Sequence, residues 1–187
     1  RILTSATQGV GIPDFVKMEK PVVINYLQKK KESQLAIKTV VSTDRDKLPS
    51  LLDLLLHLGN DPGIIFCNFR DSIEEVSIFL KKNRIPHSCF SGVMEQKDRE
   101  RSLIKFRNGT SQILIATDLA ARGIDIPELK YIVHYELPHS LEEFTHRNGR
   151  TARVNAKGTA YVLQWEKESL PIFIKDTELV DISKRTV

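Results

Sequence analysis

Cysteine is scarce: the 187 residues include only Cys67 and Cys89, and these are not spaced as Cys-x-x-Cys. A pair so placed makes no disulfide framework, and the five histidines show no metal-ligand spacing, so a zinc or iron site is not expected. Both cysteines lie in short apolar runs, which reads as buried free thiols in a reducing cytoplasm. No apolar run approaches the ~20 residues that span a bilayer, so no membrane is expected among the partners. Glycine-rich phosphate-binding turns are lacking in both common forms, Gly-x-Gly-x-x-Gly and Gly-x-x-x-x-Gly-Lys-Ser/Thr. The chain therefore carries neither a dinucleotide fingerprint nor a phosphate cradle of its own. Internal repeats and low-complexity tracts are absent as well.

Neither sign of charge dominates. There are 28 Lys plus Arg against 24 Asp plus Glu, a formal net charge of +4, and the isoelectric point is near 9.0. That excess permits a nucleic-acid partner without requiring one. With 41% hydrophobic and 28% charged residues, the composition is that of a soluble globular chain sized for one domain. It opens Arg1-Ile2-Leu3-Thr4, without an initiating Met or a signal sequence, and is expected to be a piece of something longer. Lys29-Lys30-Lys31 reads as a solvated turn.

What the chain does have is alternation. Val22–Leu27, Gly63–Asn68, His87–Ser91, Gln112–Thr117, Tyr131–Leu137 and Thr159–Gln164 are short, β-branched or aromatic-rich and bounded by turn residues. Ile37–Ser42 is a weaker seventh strand. Between them, Asp46–Leu58, Ser72–Asn83, Gln96–Asn108 and Leu141–Arg147 carry apolar residues at helical spacing. Strand–helix alternation predicts an α/β fold, a parallel sheet with helices on both faces, which binds ligands at the carboxyl ends of its strands. Asp71-Ser72 is expected to start the second helix, Asn108-Gly109 to close the third, and Pro138 to open the loop into the fourth. Glu166–Val187 reads as a terminal helix with a frayed tail.

Three segments carry chemistry. His146-Arg147-Asn148-Gly149-Arg150-Thr151-Ala152-Arg153 packs three arginines and a histidine into eight residues. Small Gly149 and Ala152 leave room for a ligand, and arginine makes forked contacts with phosphate oxygens; a basic helix end capping its own carbonyls is the plainer reading. Strand Ile113–Ile115 runs into Ala116-Thr117-Asp118 and then Ala121-Arg122-Gly123-Ile124-Asp125-Ile126-Pro127. There Asp125 could accept hydrogen bonds from a ribose and Thr117 could donate to a phosphate, or Asp118 and Asp125 could simply cap the turns that follow. Gln96-Lys97-Asp98-Arg99, after Ser91-Gly92, opens a helix with polar and basic groups, which suits a phosphate or plain solvent.

Together these segments resemble the second RecA-like domain of DEAD-box RNA helicases. Ser5-Ala6-Thr7 is similar to that family's interdomain element, Ile64-Ile65-Phe66-Cys67-Asn68 to its motif IV, and Gln96 with Arg99 to its Gln-x-x-Arg element. Thr117-Asp118 through Asp125 resembles motif V, and His146 to Arg153 motif VI, with Tyr135-Glu136-Leu137-Pro138 and Glu142 as the usual lead-in. The resemblance implies a linker over 1–20, a single RecA-like domain over 21–165 and a terminal helix and tail over 166–187. It implies an ATP-dependent RNA helicase that remodels RNA in the cytoplasm, with ATP and Mg2+ held mainly by a companion N-terminal RecA-like domain.

By the same resemblance, Arg150 and Arg153 reach the γ-phosphate, Arg153 as the arginine finger. Asp125 and Gly123 contact the nucleotide, and His146 links to the companion domain. Arg99, Gln96, Thr117, Gly92 and the Asn68-Phe69-Arg70 turn hold the backbone of single-stranded or duplex RNA without reading sequence. Two positions depart from the family pattern: Asn148 replaces a usually apolar residue, with an effect expected on local packing, and Ala152 stands where glycine is frequent. No Asp-Glu-Ala-Asp occurs, so the chain alone is expected to be a monomer without ATPase activity. A DNA-directed relative of the superfamily and a non-catalytic binding module are the alternatives. Retention of Arg150, Arg153 and Asp125 argues against the module.

Overall fold

Four short strands form one half of the sheet, and three of them, apolar but for His134, bury every residue: β2 (Gly63–Phe66), β4 (Ile113–Ala116) and β5 (Tyr131–His134). The fourth is β3 (His87–Phe90). The computed structural model describes residues 35–121, 129–151, 157–175, 177–180 and 182, all within one compact unit, 34–187. Two eight-residue strands, β1 (Leu35–Ser42) and β6 (Gly158–Trp165), and the two-residue β7 (Glu178–Leu179) complete a seven-stranded sheet ordered β3-β4-β2-β5-β6-β1-β7. Every pairing is parallel. Expected strand Val22–Leu27 and the Ser5-Ala6-Thr7 element lie outside the described residues.

Because strand side chains alternate, each strand feeds two cores. Ile65, Cys67, Ile113, Ile115, Tyr131 and Val133 point to one face, where Leu51, Leu54 and Leu55 of α1 (Leu48–Leu58) and Ile73, Val76 and Leu80 of α2 (Arg70–Lys82) cover them. Ile64, Phe66, Leu114, Ala116 and Ile132 point to the other, under Phe106 of α3 (Gln96–Arg107) and Ala120 and Ala121 of the short α4 (Asp118–Ala121). Phe144 of α5 (Leu141–Asn148) packs on Val162 and Ile174. Each fully buried leucine or isoleucine contributes about 1.5–3 kcal/mol of transfer free energy. Gly63 is demanded by this packing. Across the β2–β5 pairing it lies opposite Tyr131, and a Cβ would fall 2.1 Å from that ring.

The weak seventh strand is in fact one of the two longest, in register with β6 from Leu35 against Gly158 to Ser42 against Trp165. Its sequence signal is diluted by Lys38 and Thr39. The expected start of α2 is corrected: the helix begins at Arg70, its boundary residue Phe69 makes no side-chain cap, and the Ser72 hydroxyl instead donates to Glu136 Oε1 at 2.9 Å. α1 begins at Leu48 rather than Asp46: its boundary residue is Lys47, and the Asp46 carboxylate, one residue earlier, accepts from the Leu48 N–H at 3.0 Å. Helix α3 closes at Asn108 with Gly109 at φ +76°, as expected. Ser140 accepts from the Glu143 N–H at 3.1 Å and starts α5 two residues after Pro138. The expected terminal helix is not found among the described residues of 166–187. Pro171 interrupts the helical pattern, Ile174 folds onto the core, and Glu178–Leu179 pairs with the outer edge of β1.

Candidate functional site

The carboxyl ends of β2, β4 and β5 bring Asn68, Thr117–Asp118 and Glu136 to one edge of the sheet, and α5 lays Arg147 across them. Arg147 is only 1% exposed. Its Nε donates to both Asp118 oxygens, at 2.8 and 3.0 Å, and its Nη2 reaches Asp118 Oδ2 at 2.5 Å. Nη2 also donates to Asn68 Oδ1 at 2.7 Å, and Nη1 to the Glu136 carbonyl at 3.1 Å. The guanidinium lies 5.3 Å from the Phe66 ring centroid. Glu136 closes the network by accepting from the Asn68 N–H at 2.6 Å. One cation thus fastens three strand ends and a helix, with its donors satisfied as a buried charge requires.

This settles part of what the sequence left open. Asp118 neither caps a turn nor faces outward; its carboxylate neutralises Arg147. Within the cationic segment, Arg147 is structural, while His146 is exposed, its Nδ1 4.0 Å from Glu142 Oε1 one turn earlier. Arg150 is half-buried, its N–H donating to the Arg147 carbonyl at 3.0 Å. Thr151 is buried and donates from Oγ1 to the Leu129 carbonyl at 2.7 Å. Arg150 is therefore held between two pinned neighbours. Arg153, Ala152, Gly123 and Asp125 lie outside the described residues.

Asn148 has a specific partner. Its Oδ1 lies 3.1 Å from Nε2 of His134, which is wholly buried on β5. Burial, then the Arg147 charge, lowers the His134 pKa to about 3, so the imidazole is neutral and donates to the amide. The departure from an apolar residue at 148 is thus matched by a polar one at 134, although His134 Nδ1 keeps no hydrogen-bond partner.

The residues expected to hold RNA sit in differing states. Arg99 lies over the Phe90 ring at 4.8 Å, and its Nε is buried without a hydrogen-bond partner. Gln96 donates to Glu100 one turn along at 2.8 Å. Gly92 is exposed, and a Cβ there would meet nothing within 4 Å, so packing does not require glycine at this point. Thr117 is half-buried at the end of β4, and Arg70 is exposed at the start of α2. The Asn68 side chain is engaged inward, its Nδ2 donating to the Leu137 carbonyl at 2.9 Å and lying 3.0 Å from His139 Nε2. Sequence reasoning missed the tie between Arg147, Asp118 and Glu136. The one signal was their common membership of conspicuous polar segments. Among the described residues no group of three or more His, Cys, Asp or Glu could hold a metal ion, and no helix is long and apolar enough to cross a membrane.

An all-parallel sheet covered by helices on both faces, with a cationic segment at its carboxyl edge, defines an α/β domain of the RecA-like class. The chain belongs to the helicase conserved C-terminal domain family, which matches residues 46–155, and is a RecA-like C-terminal domain of the DEAD-box type. DEAD-box ATP-dependent RNA helicase 21 of Oryza sativa subsp. japonica is 38% identical over 144 residues, covering 76% of this chain and 20% of that protein. The E. coli DEAD-box protein SrmB, solved bound to the regulator of ribonuclease activity RraA, superposes with a TM-score of 0.69 at 28% identity, over 78% of this chain and 89% of that one. The S. cerevisiae protein Dbp5, solved bound to RNA and ADP BeF3, superposes with a TM-score of 0.65 at 29% identity, over 72% and 36%. The chain spans between 19% and 41% of the length of the curated relatives it matches.

Proposed function

We propose that this domain is the second half of an ATP-dependent RNA helicase and supplies both an arginine finger and part of the RNA grip. The observation that carries the reading is the Arg147 clamp. It fixes the start of the cationic segment at the carboxyl edge of the sheet, three residues before Arg150. An arginine on a backbone pinned at both neighbours suits a phosphate, because little freedom is left to lose on binding. ATP, held with Mg2+ mainly by a companion N-terminal RecA-like domain, contributes the phosphoryl group that is transferred. In this reading Arg153 stabilises the charge developing on that group, Arg150 assists, Asp125 and Gly123 meet the nucleotide, and His146 links to the companion domain. Arg99, Gln96, Thr117, Gly92 and the Asn68–Arg70 turn hold the RNA backbone, and backbone contact gives grip without sequence readout. The free thiols Cys67 and Cys89 suit a reducing compartment, and the cytoplasm is proposed.

The test is RNA-stimulated ATP turnover and RNA affinity in a two-domain enzyme where this chain follows a companion domain bearing the phosphate cradle. Arg153→Lys keeps one charge but loses the fork, and should lower turnover by about 10³-fold or more while RNA affinity of the open form hardly changes. If Arg153→Lys stays near wild type while Arg150→Lys is dead, the finger is Arg150. If both keep full activity, the reading fails.

A further inference from the structure

Phe69 is an anomaly at the ligand edge. It follows Asn68, stands in extended backbone at the boundary of α2 and leaves 59% of its surface exposed. A single exposed apolar side chain is ordinary, but this one is held in place. Its ring meets His139 edge-on, with centroids 6.4 Å apart and planes at 64°. His139 is in turn within hydrogen-bond reach of Asn68 Nδ2. The Asn68 amide has one possible orientation, since Arg147 donates to its Oδ1 and the Leu137 carbonyl accepts from its Nδ2. The bond to His139 therefore runs from amide to imidazole. A buried cation thus orients, through one amide, two aromatic rings that stand exposed at the ends of neighbouring strands β2 and β5. Arg70, the next residue after Phe69, places an exposed cation alongside.

We propose that the Phe69 ring, braced edge-on by His139, is a stacking platform for one unpaired nucleobase of the bound RNA. The inference rests on the RNA-gripping reading above and adds a contact of a different kind, to a base face rather than to the backbone. A rigid aromatic surface beside a cation suits this ligand: every base presents a π-face, and the neighbouring phosphate falls to Arg70. Preorganisation matters because a ring already fixed in place loses little freedom on binding. Such a platform favours no particular sequence, and it prefers single strands because a paired base has no free face.

The experiment measures equilibrium binding of the 187-residue chain to oligoadenylate of about ten nucleotides and to an abasic ribose–phosphate strand of the same length. Wild type, Phe69→Ala and Phe69→Trp are compared. Wild type should bind the base-bearing strand more tightly, by about 5- to 150-fold, the range of one stacked base. Phe69→Ala should erase that difference, whereas Phe69→Trp should keep it and show fluorescence quenching at the new indole. If both strands bind but Phe69→Ala changes neither, or weakens both equally, the platform is wrong and the backbone grip survives. The former result would point instead to a protein surface docking on Phe69. If neither strand binds, the RNA reading and the platform fall together.

Discussion

Arg147 and Asp118 are 29 residues apart in sequence, yet their side chains form a two-pronged ion pair at the centre of the ligand edge, with Nε on both carboxylate oxygens. The partners are 1% and 19% exposed, so neither can be rehydrated cheaply once the other is gone. Removing one partner of such a pair costs about 3–5 kcal/mol. Arg147→Ala and Asp118→Ala should each lower the unfolding free energy of the chain by about that much in urea titration. Arg147→Lys should rescue little, since one ammonium cannot reach Asp118, Asn68 and Glu136 together. A loss under about 1 kcal/mol would show that the clamp is not a stability element.

Gly63→Ala tests the packing of β2 against β5. The added Cβ would meet the Tyr131 ring at 2.1 Å, and that ring is buried on all sides. Overpacking of this kind costs typically 1–3 kcal/mol. Thermal unfolding should show the loss, and the double variant with Tyr131→Val should recover part of it relative to Tyr131→Val alone. Equal losses in both backgrounds would mean that something other than the Tyr131 ring sets the cost, since backbone entropy by itself favours alanine.

His134 predicts an acid limb of stability. Its folded pKa of about 3 lies below the ordinary imidazole value of 6.5, chiefly through burial and secondarily through the Arg147 charge. Between these values the unfolded chain binds a proton that the folded chain refuses. Stability from this site is therefore full above about pH 6.5 and falls progressively as pH drops toward 3. The loss from pH 7 to pH 5 amounts to about 2 kcal/mol. His87, lowered in the same direction by burial, adds to the same limb. The informative quantity is thus the difference between wild type and the double variant His134→Val, Asn148→Ile, which removes both polar partners. Denaturant titrations at pH 7 and pH 5 should show a flatter limb in the double variant; parallel limbs would exclude His134.

The isolated chain should show no RNA-stimulated ATP turnover and should bind single-stranded RNA weakly. Its affinity should fall with salt at ~0.7 logarithmic units per phosphate contact. Arg99 already stacks on Phe90 and holds a buried, unpartnered Nε, so Arg99→Ala should reduce the salt slope by about one contact. An unchanged slope would remove Arg99 from the grip. Contaminant-free turnover by the chain alone would overturn the inactivity expectation.

Strand and helix order was legible because apolar runs such as Ile64–Phe66 and leucine spacing such as Leu51, Leu54 and Leu55 obey the two periods that packing imposes. Helix starts were less so. Asp71-Ser72 looks like a cap, but the Ser72 hydroxyl is drawn to Glu136 by a tertiary contact, whereas Ser140 does cap α5. β1 was undervalued because Lys38 and Thr39 interrupt its apolar run, and α4 spans too few residues to show any period. In the cationic segment, residue type marked the region without sorting its members. Arg147 and Arg150 look alike in sequence, and only the approach of Asp118, Asn68 and Glu136 makes the first an internal brace. Likewise Asn148 was read as a change of local packing, but its partner His134 lies on another element and left no trace in local spacing.

β1 comes first in the described chain, yet its sheet partners are β6 and β7, and Leu35 meets Gly158 more than a hundred residues later. During synthesis this strand must therefore wait with both edges unsatisfied while the other strands can already assemble among themselves. Long-range parallel pairing of this kind slows folding, because a large loop closes before the contact rewards it. The arrival of β6 thus bridges β5 on one side and β1 on the other, and only β7, on the outer edge of β1, joins the sheet after it. A nascent chain stopped before Gly158 would keep a partly formed ligand edge while presenting β1 as an open, aggregation-prone strand.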